Sequence, residues 1–377
     1  MMIKTVNLGE LISPAKVRRC NDDEYPVLSM TMHDGIVLQS ERFKKSLASL
    51  DQSNYKVVSR GQLVVGFPID EGVIYVQNAA DEGIMSPAYG VWDIHAEKVL
   101  PEYLECCLHS PQSMSYYMSK LKGTTARRRS ITTEDLLSLP ISLPDKSEQR
   151  RRLSLLSSCK DTISKSEQQL AKLDELVKSR FVEMFIGKGY PTKTVDEVSL
   201  TKGEYGAQSA SVEYDPTRPR YVRITDINDD GTLNDDVVAS INPADDEQYK
   251  LVYGDFMFAR MGATVGKTYA FIEGNQIFAG YLIRYRLNRE IINPRYLFWY
   301  TRLDEYWNWV KLNQSGAAQP GINAKKYGSL QIPLPPIDEQ EQFATFVEQT
   351  DKSKLAVKQS LEKLETLKKS LMQQYFG

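Results

Sequence analysis

The sequence has few of the features that mark membrane, secreted or metal-dependent proteins. It contains no run of about eighteen uninterrupted apolar residues, and its N-terminus, MMIKTVNLGEL, lacks the apolar region of a signal peptide. Its four cysteines fit neither a disulfide framework nor a C-x-x-C zinc knuckle, and its three histidines lack metal-ligand spacing. These absences predict a soluble, cytoplasmic chain with reduced cysteines, no membrane partner and no metal site.

Motifs for catalysis are also scarce. RMGATVGKTYAF resembles a phosphate-binding loop, but only three residues separate Gly262 from Gly266, where that loop needs four. The residues that follow continue as a strand, so the site lacks the helix N-terminus that would hold a phosphate. NPRY at Asn293 has Arg295 in place of the second proline of the NPPY loop of amino-methyltransferases. We therefore predict no catalytic residue and no cofactor in this chain; a nucleotide hydrolase built on the glycine loop is an alternative.

The chain also lacks a large excess of positive or of negative charge. The 377 residues carry a formal net charge of -2, whereas a chain that coats nucleic acid through its bulk charge is strongly basic. Any binding to nucleic acid must therefore come from local patches. With 41% hydrophobic residues, the chain can bury a large core and should divide into about two or three domains.

What the sequence does contain is an internal repeat. SLPISLP and SLQIPLP align Leu139 with Leu330, a separation of 191 residues (330 minus 139). The same separation continues without a gap to LAKLDELVKSRF at Leu170 and LEKLETLKKSLM at Leu361. Upstream the two copies diverge, although YKVVSRGQLVV still matches YKLVYGDFMF. The order along the chain is therefore variable domain, helix, variable domain, helix.

The two repeated segments predict long amphipathic helices. Apolar residues recur at spacings of three and four, which gives each helix one narrow apolar seam on a charged surface. Such a seam needs a partner helix, and the other copy is the simplest partner; the alternative is a linker or a dimerisation coiled coil. The seam for the helix pair and for partner subunits is predicted to contain Leu170, Leu173, Leu176, Phe181, Leu361, Leu364, Leu367 and Leu371.

The variable segments favour an α+β fold. Short strands such as QLVVGF, DFMFAR and YLIRYRL are separated by Gly, Asp and Asn turns, and PEYLECCLHS and PRYLFWYTRLDEYWNWV predict helices with proline in the first turn. We predict two globular domains of mixed short strands and helices, 1–144 and 188–335. Two long antiparallel coiled-coil helices, 145–187 and 336–377, join them in an internal pseudo-twofold repeat.

A polar loop precedes the strand that leads into each long helix. GTTARRRSI supplies three adjacent guanidinium groups, which can neutralise phosphates or contact guanine edges. QSGAAQPGI and the residues after it supply amide and ammonium groups suited to adenine edges and phosphates. For each residue the alternative is a salt-bridged surface side chain that contributes little. The candidate set is Arg127, Arg128, Arg129, Ser130, Arg220, Arg223, Arg260, Lys267, Gln319, Asn323, Lys325 and Lys326.

These features together carry a family resemblance. The alternating layout, the LPxxxEQ entry to each helix, the LxKL[DE]xLxKS helix and the GATVGK hairpin resemble the specificity subunit of Type I restriction-modification systems. The resemblance covers nearly the whole chain. It departs from a strict repeat at one place, because the first domain has VVGFPIDEGVIYV where the second has FARMGATVGKTYA. Lys267 is therefore a candidate for the second domain alone.

The resemblance implies a non-catalytic subunit that reads double-stranded DNA. Each variable domain would be a target recognition domain for one half of an asymmetric bipartite sequence. The partners would be two modification (methyltransferase) subunits and the restriction (translocase and nuclease) subunits, which would use S-adenosylmethionine and ATP with magnesium respectively. Two alternatives remain open: an adapter with two protein-binding heads on a coiled coil, and a specificity subunit that serves methylation alone.

Overall fold

The structure is a computed structural model. It describes residues 4–20, 24–32, 34–42, 52–121, 130–241, 247–316 and 319–376. Its contacts divide the chain into two compact units: unit 1 contains Met1–Glu167 with Lys358–Gly377, and unit 2 contains Gln168–Val357. Over the ranges described, no helix combines the length and apolar content required to cross a membrane.

Unit 1 is a mixture of short strands and helices followed by the start of a long helix. Its strands are β1 (Lys4–Asn7), β2 (Ile12–Pro14), β3 (Leu28–Met30), β4 (Ile36–Leu38), β5 (Lys56–Ser59), β6 (Leu63–Val65), β7 (Ile74–Val76), β8 (Glu82–Met85), β9 (Gly90–Ile94) and β10 (Pro140–Leu143). Its helices are α1 (Gln39–Arg42), α2 (Pro101–Leu108), α3 (Pro111–Lys120), α4 (Thr133–Leu137) and the first half of α5 (Lys146–Phe185).

Unit 2 repeats this order after the end of α5. Its strands are β11 (Thr192–Thr194), β12 (Glu204–Tyr205), β13 (Val212–Glu213), β14 (Arg220–Val222), β15 (Ala239–Ser240), β16 (Asp255–Ala259), β17 (Thr268–Ala270), β18 (Gln276–Phe278), β19 (Leu282–Arg286) and β20 (Gln331–Pro333). Its helices are α6 (Pro294–Tyr300), α7 (Asp304–Asn313), α8 (Ala324–Gly328) and the first half of α9 (Ile337–Phe376).

The central sheets of the two units have the same topology. The order β2-β9-β6-β7 in unit 1 corresponds to β12-β19-β16-β17 in unit 2, and both sheets are antiparallel. Leu63 lies opposite Trp92 in the first sheet, as Phe256 lies opposite Tyr285 in the second. The smaller pairings also correspond. The antiparallel neighbour of β8 is β5, and that of β18 is Lys250; the parallel neighbour of β8 is Val27, and that of β18 is β14. The α+β repeat predicted from the sequence is confirmed.

One buried glutamine fixes the start of each long helix. Gln149 accepts a hydrogen bond from the backbone N–H of Leu100 at 2.9 Å and donates one to the carbonyl of the proline before the helix at 2.9 Å. Gln340 makes the same pair of bonds: it accepts from the N–H of Asn293 at 2.9 Å and donates to the carbonyl of Pro335 at 2.8 Å. The glutamine of each LPxxxEQ motif thus ties the long helix to the first turn of α2 or α6.

The phenylalanine at the end of each long helix enters a core. Phe185, near the C-terminus of α5, packs against Tyr296 of unit 2 with ring centroids 4.9 Å apart. Phe376, near the C-terminus of α9, packs against Tyr103 of unit 1 at 5.2 Å. Each helix therefore begins in one unit and ends in the core of the other. Each long helix is therefore shared between the two units, whereas the predicted domain boundaries keep each helix as one separate segment.

The apolar seam is narrower than predicted. Phe181 is fully buried, and Leu170, Leu173, Leu361, Leu364 and Leu371 are partly buried. Leu176 and Leu367 are 49% and 48% exposed, so they lie outside the buried part of the seam, and their predicted contact with partner subunits stays a prediction. In α5 the seam continues through the buried Val177, four residues after Leu173 and four before Phe181. Because the helical period is 3.6 residues, steps of three and four must alternate for residues to stay on one face, and two successive steps of three leave that face.

Candidate nucleic-acid interface

The candidate arginines of the first polar loop cannot be placed. Arg127, Arg128 and Arg129 lie outside the described residues, so their contact with DNA stays a prediction. Ser130 is exposed, next to that loop. The candidates of the second domain are all described.

Two candidate arginines of unit 2 are held by carboxylates. The Arg220 guanidinium lies 2.6 Å from Asp235. The Arg223 guanidinium lies 2.8 Å from the buried Asp226 and also donates to the carbonyl of Val237 at 2.6 Å. These partners hold both arginines in the local structure, and a DNA phosphate would have to compete with them. Their predicted DNA contacts remain untested.

Lys267 occupies a hairpin and is also engaged. The GATVGK segment forms a 3-10 turn, Gly262–Thr264, between the antiparallel strands β16 and β17, so no helix N-terminus follows it. The Lys267 ammonium lies 2.8 Å from Asp229 and donates to the carbonyl of Ile227 at 3.1 Å. The hydrogen bond from Lys267 lowers the pKa of the Asp229 carboxyl. The segment is a turn between strands, as predicted, and Lys267 links it to the 226–232 loop.

The candidates that start α8 have mixed roles. The Asn323 side-chain oxygen accepts from the Lys326 N–H at 3.0 Å and so caps the helix, which engages the acceptor that an adenine contact would use. The Lys326 ammonium donates to the carbonyl of Asn313 at 2.7 Å. Gln319 and Lys325 are exposed. These last two side chains are placed where a ligand can reach them.

The polar loop of unit 2 lies against Arg260. The Ile322 N–H donates to the Arg260 carbonyl at 2.9 Å, and the Gly262 N–H donates to the carbonyl of Pro320 at 2.9 Å. The structure therefore brings Gln319 and Arg260, two candidates 59 residues apart (319 minus 260), into one region. Arg220, Arg223 and Lys267 are tied to carboxylates around it.

A cavity of about 680 Å³ opens beside Arg260. Polar groups line much of it, among them Gln208, Ser209, Thr225 and Arg223. The Arg260 guanidinium stacks over the ring of Tyr205, with 4.8 Å between its central carbon and the ring centroid. A polar cavity with a stacked cation on its wall can accept a ligand that offers hydrogen-bond acceptors on a planar edge.

The residue of unit 1 that aligns with Arg260 is apolar. Phe67 follows β6 as Arg260 follows β16, and a 3-10 turn comes next in both units. The Phe67 ring meets Tyr89 edge to face, with centroids 5.5 Å apart. The neighbouring cavity, about 260 Å³, is lined by residues that include Tyr89 and Met30. The two variable domains thus present different chemistry at one equivalent position.

Sequence reasoning missed the tyrosines that hold Arg260. Tyr205 and Tyr281 are 40% and 54% exposed, and neither belongs to a charged loop. The available signal was the repeat itself, because the alignment of YKVVSRGQLVV with YKLVYGDFMF places Phe67 opposite Arg260. Positions that differ within an otherwise matched repeat are candidates for ligand contacts that differ between the two units.

Comparisons with known proteins agree with this architecture. Residues 192–367 match the family model described as the Type I restriction modification DNA specificity domain. The chain is 30% identical over 145 residues to the putative type I restriction enzyme MjaX specificity subunit of Methanocaldococcus jannaschii, which covers 37% of this chain and 34% of that protein. It is 24% identical over 216 residues to the HindI specificity subunit of Haemophilus influenzae, covering 55% of this chain and 47% of the relative.

Solved structures extend the likeness to the whole fold. One chain, from a study of complex assembly and conformational transition of the type I R-M system, has a TM-score of 0.63 at 18% identity, covering 99% of this chain and 97% of that one. The HsdS subunit of Thermoanaerobacter tengcongensis has a TM-score of 0.50 at 18% identity, with 99% and 96% covered. In sequence, by contrast, the chain matches between a third and half of the length of these two curated relatives.

The fold is therefore similar, over nearly the whole chain, to those of these two solved structures. Residues 192–367 match the model of the Type I restriction modification DNA specificity domain family, and the central sheet of unit 1 repeats the strand order of unit 2. The resemblance to the specificity subunits of type I restriction-modification systems, inferred from the sequence, is confirmed.

Proposed function

We propose that this chain is the DNA-reading subunit of a type I restriction-modification complex, in which each unit recognises one half of an asymmetric, bipartite target. The observation that carries the proposal is the repeated sheet order with different side chains at an equivalent place, Phe67 in unit 1 and Arg260 in unit 2. A shared frame suits the regular DNA backbone, while different side chains suit different bases.

The catalytic steps belong to partners in this proposal. The chain binds double-stranded DNA, two methyltransferase subunits and the restriction subunits, and it positions the first of these on the target. S-adenosylmethionine supplies the methyl group within the methyltransferase subunits, and ATP with magnesium serves the restriction subunits. Two copies of one methyltransferase fit a chain whose helix motifs occur twice at a separation of 191 residues (361 minus 170).

The test is selection of DNA by the full chain, purified with whatever subunits accompany it. From a pool of random-sequence duplexes, the chain should enrich two short, different motifs separated by a fixed number of unspecified positions. Binding should weaken steeply with salt, because phosphate contacts release counterions. An adapter that binds only proteins would show no salt-dependent DNA affinity. Enrichment of one continuous motif would contradict the proposal that each unit recognises one half of the target.

The role of the helices can be tested separately. Inserting four residues, about one helical turn or 6 Å, near the midpoints of both α5 and α9 should change the number of unspecified positions and leave both motifs unchanged. Altered bases within the motifs would mean that the helices themselves read DNA. A matched insertion of four residues after Gly189, outside the helices, is the control.

A further inference from the structure

Arg260 differs from several other arginines of its unit in what surrounds it. Arg220 and Arg223 pair with carboxylates at 2.6 and 2.8 Å, and Arg284 pairs with Glu204 at 2.5 Å. Among the residues the structure describes, no carboxylate lies within ion-pair distance of the Arg260 guanidinium, whose one polar contact is the Met261 sulfur at 3.3 Å. Its donors are therefore available to a ligand.

Aromatic rings hold the Arg260 side chain in place. Its central guanidinium carbon lies 4.8 Å from the ring centroid of Tyr205 and 5.9 Å from that of Tyr281. The Tyr205 hydroxyl in turn accepts from the Ala324 N–H at 3.2 Å, which ties the ring to the start of α8. Stacking leaves the N–H groups of a guanidinium pointing outward in its plane and reduces the entropy lost on binding.

The backbone of Arg260 is fixed as well. Its N–H donates to the carbonyl of Tyr281 at 3.0 Å, and its carbonyl accepts from the Ile322 N–H at 2.9 Å. The residue is therefore anchored to the start of β19 on one side and to the polar loop on the other. A fork of donors held this firmly suits a ligand with two acceptors at a fixed separation.

Comparison with the equivalent residue of unit 1 favours a contact from Arg260 to a base over a contact to a phosphate. Gly61 and Gly254 both adopt positive φ, 86° and 97°, before β6 and β16, so the two frames match up to positions 67 and 260. Phosphates are the same in every half-site, and a residue needed for them would be kept in both units. Phe67 cannot donate a hydrogen bond, so this position varies in the way expected for contacts to bases.

We infer that Arg260 is the guanine-reading residue of unit 2, donating in bidentate fashion to O6 and N7 of one guanine in the major groove. This inference rests on the proposed function. Arginine is the common bidentate partner of that base edge, and the polar wall of the adjacent cavity accommodates the neighbouring base pairs. Unit 1, with Phe67 at the same place, makes no such guanine contact there.

The test compares variants of the full chain by the same selection from random-sequence duplexes. The wild-type motif for one half-site should contain a guanine whose preference falls on the order of tenfold to a hundredfold in Arg260→Ala. Arg260→Lys keeps the charge and loses the fork, so it should lose the preference while binding more tightly than the alanine variant. The motif of the other half-site should be unchanged.

Two further variants separate positioning from charge. Tyr205→Ala removes the stacking ring and should weaken the guanine preference, whereas Tyr205→Phe keeps the ring and should retain most of it. Arg289→Ala is the matched control, since Arg289 also stacks on a tyrosine, Tyr253 at 5.0 Å, but does not line the cavity. It should leave the motif unchanged.

The outcomes distinguish the inference from the function on which it rests. A uniform loss of affinity in Arg260→Ala, with an unchanged motif and a smaller salt slope, would make Arg260 a phosphate contact and overturn the inference. An unchanged motif and unchanged affinity would also overturn it. A wild-type chain that selects no sequence at all would remove the proposed function itself.

Discussion

The place where the long helices meet is built differently in the two units. In unit 2, Phe181 and Phe185 of α5 pack against Phe343 of α9 and Tyr296 of α6, with ring centroids 4.9 to 5.6 Å apart. All four rings are essentially removed from water. Such a cluster combines apolar burial with favourable edge-to-face contacts.

In unit 1 the repeat replaces Phe343 with Arg152, 191 residues earlier (343 minus 152). The buried Arg152 guanidinium contacts Glu148 at 2.9 Å and donates to the carbonyl of Tyr375 at 2.6 Å. It also donates to the Tyr103 hydroxyl at 3.2 Å. Equivalent backbones are thus joined by apolar rings in one unit and by a charged network in the other, so the repeat conserves geometry and not the interaction type.

The largest expected effect is at the aromatic cluster. Phe343→Ala should lower the free energy of unfolding of unit 2 by about 3–5 kcal/mol, because it removes a fully buried ring and leaves a cavity. Urea denaturation followed by tryptophan fluorescence is a suitable measurement, since Trp299, Trp307 and Trp309 lie in unit 2.

Exchange of backbone amides with deuterium shows where that loss falls. Peptides from unit 2 should exchange faster in Phe343→Ala, while peptides around Trp92 of unit 1 should exchange as in the wild type. Phe376→Ala, which removes a buried ring from the unit 1 junction, should reverse this pattern. Equal acceleration in both units for either variant would mean that the junctions are not independent.

A smaller and more equal effect is expected at the two glutamines. Gln149→Leu and Gln340→Leu each remove hydrogen bonds to buried backbone groups, and each should cost about 1–3 kcal/mol of unfolding free energy. Because the two side chains make the same contacts, their costs should agree within about 0.5 kcal/mol. Gln149→Glu and Gln340→Glu keep the acceptor and lose the donor, which tests the contribution of the proline carbonyl. A large difference between the paired variants would contradict the structural equivalence.

The long helices that form these two junctions could be predicted from the sequence. The repeat at a separation of 191 residues (361 minus 170) predicted both long helices, and each lies within two residues of its predicted bounds. The same pattern did not separate the exposed Leu176 and Leu367 from the buried residues of the seam, because a spacing of three or four defines a stripe and not its exact centre.

The candidate site was predictable only in part. Arg260 followed from its charge beside a strand, but its special position depends on Tyr205 of β12 and on Tyr281, directly before β19, both distant from it in sequence. Lys267 and Arg223 looked equally accessible in sequence, and only the structure shows that Asp229 and Asp226 hold them. Local sequence gives the type of a side chain, whereas its partners depend on tertiary packing.

The unit 1 junction should respond to pH where the unit 2 junction does not. Hydrogen bonds from Arg151 and then Arg152 lower the pKa of Glu148 to about 2, below its value in the unfolded chain, about 4.3. The stabilisation is therefore complete above about pH 5 and is lost as the pH falls towards 2. The difference in thermal midpoint between the wild type and Glu148→Gln should be largest at neutral pH and should shrink over that range.

The matched control is Glu339→Gln in unit 2. Glu339 accepts a hydrogen bond from the Tyr190 hydroxyl at 2.6 Å, and glutamine retains an acceptor for that hydroxyl. Its thermal midpoint should therefore differ little from that of the wild type between pH 7 and 4. A Glu148→Gln difference that stayed constant down to pH 3 would show that the charge of Glu148 does not stabilise unit 1.

The smallest effect on stability is expected at the two exposed leucines, Leu176 in unit 2 and Leu367 in unit 1. They occupy equivalent positions of the repeat, and each is about half exposed. Leu176→Ser and Leu367→Ser should each change the unfolding free energy by less than about 0.5 kcal/mol. Leu173→Ser, on the partly buried seam, should cost more, which can be measured by urea denaturation.

The same pair tests whether the two units engage like partners. If each leucine contacts one copy of the same methyltransferase subunit, either serine variant should reduce the amount of that subunit that copurifies with the chain, and the double variant should reduce it further. The units would then be alike where they meet identical proteins and unlike where they meet different bases. Loss of the partner from only one variant would show that the exposed leucines are equivalent in the repeat without being equivalent in the complex.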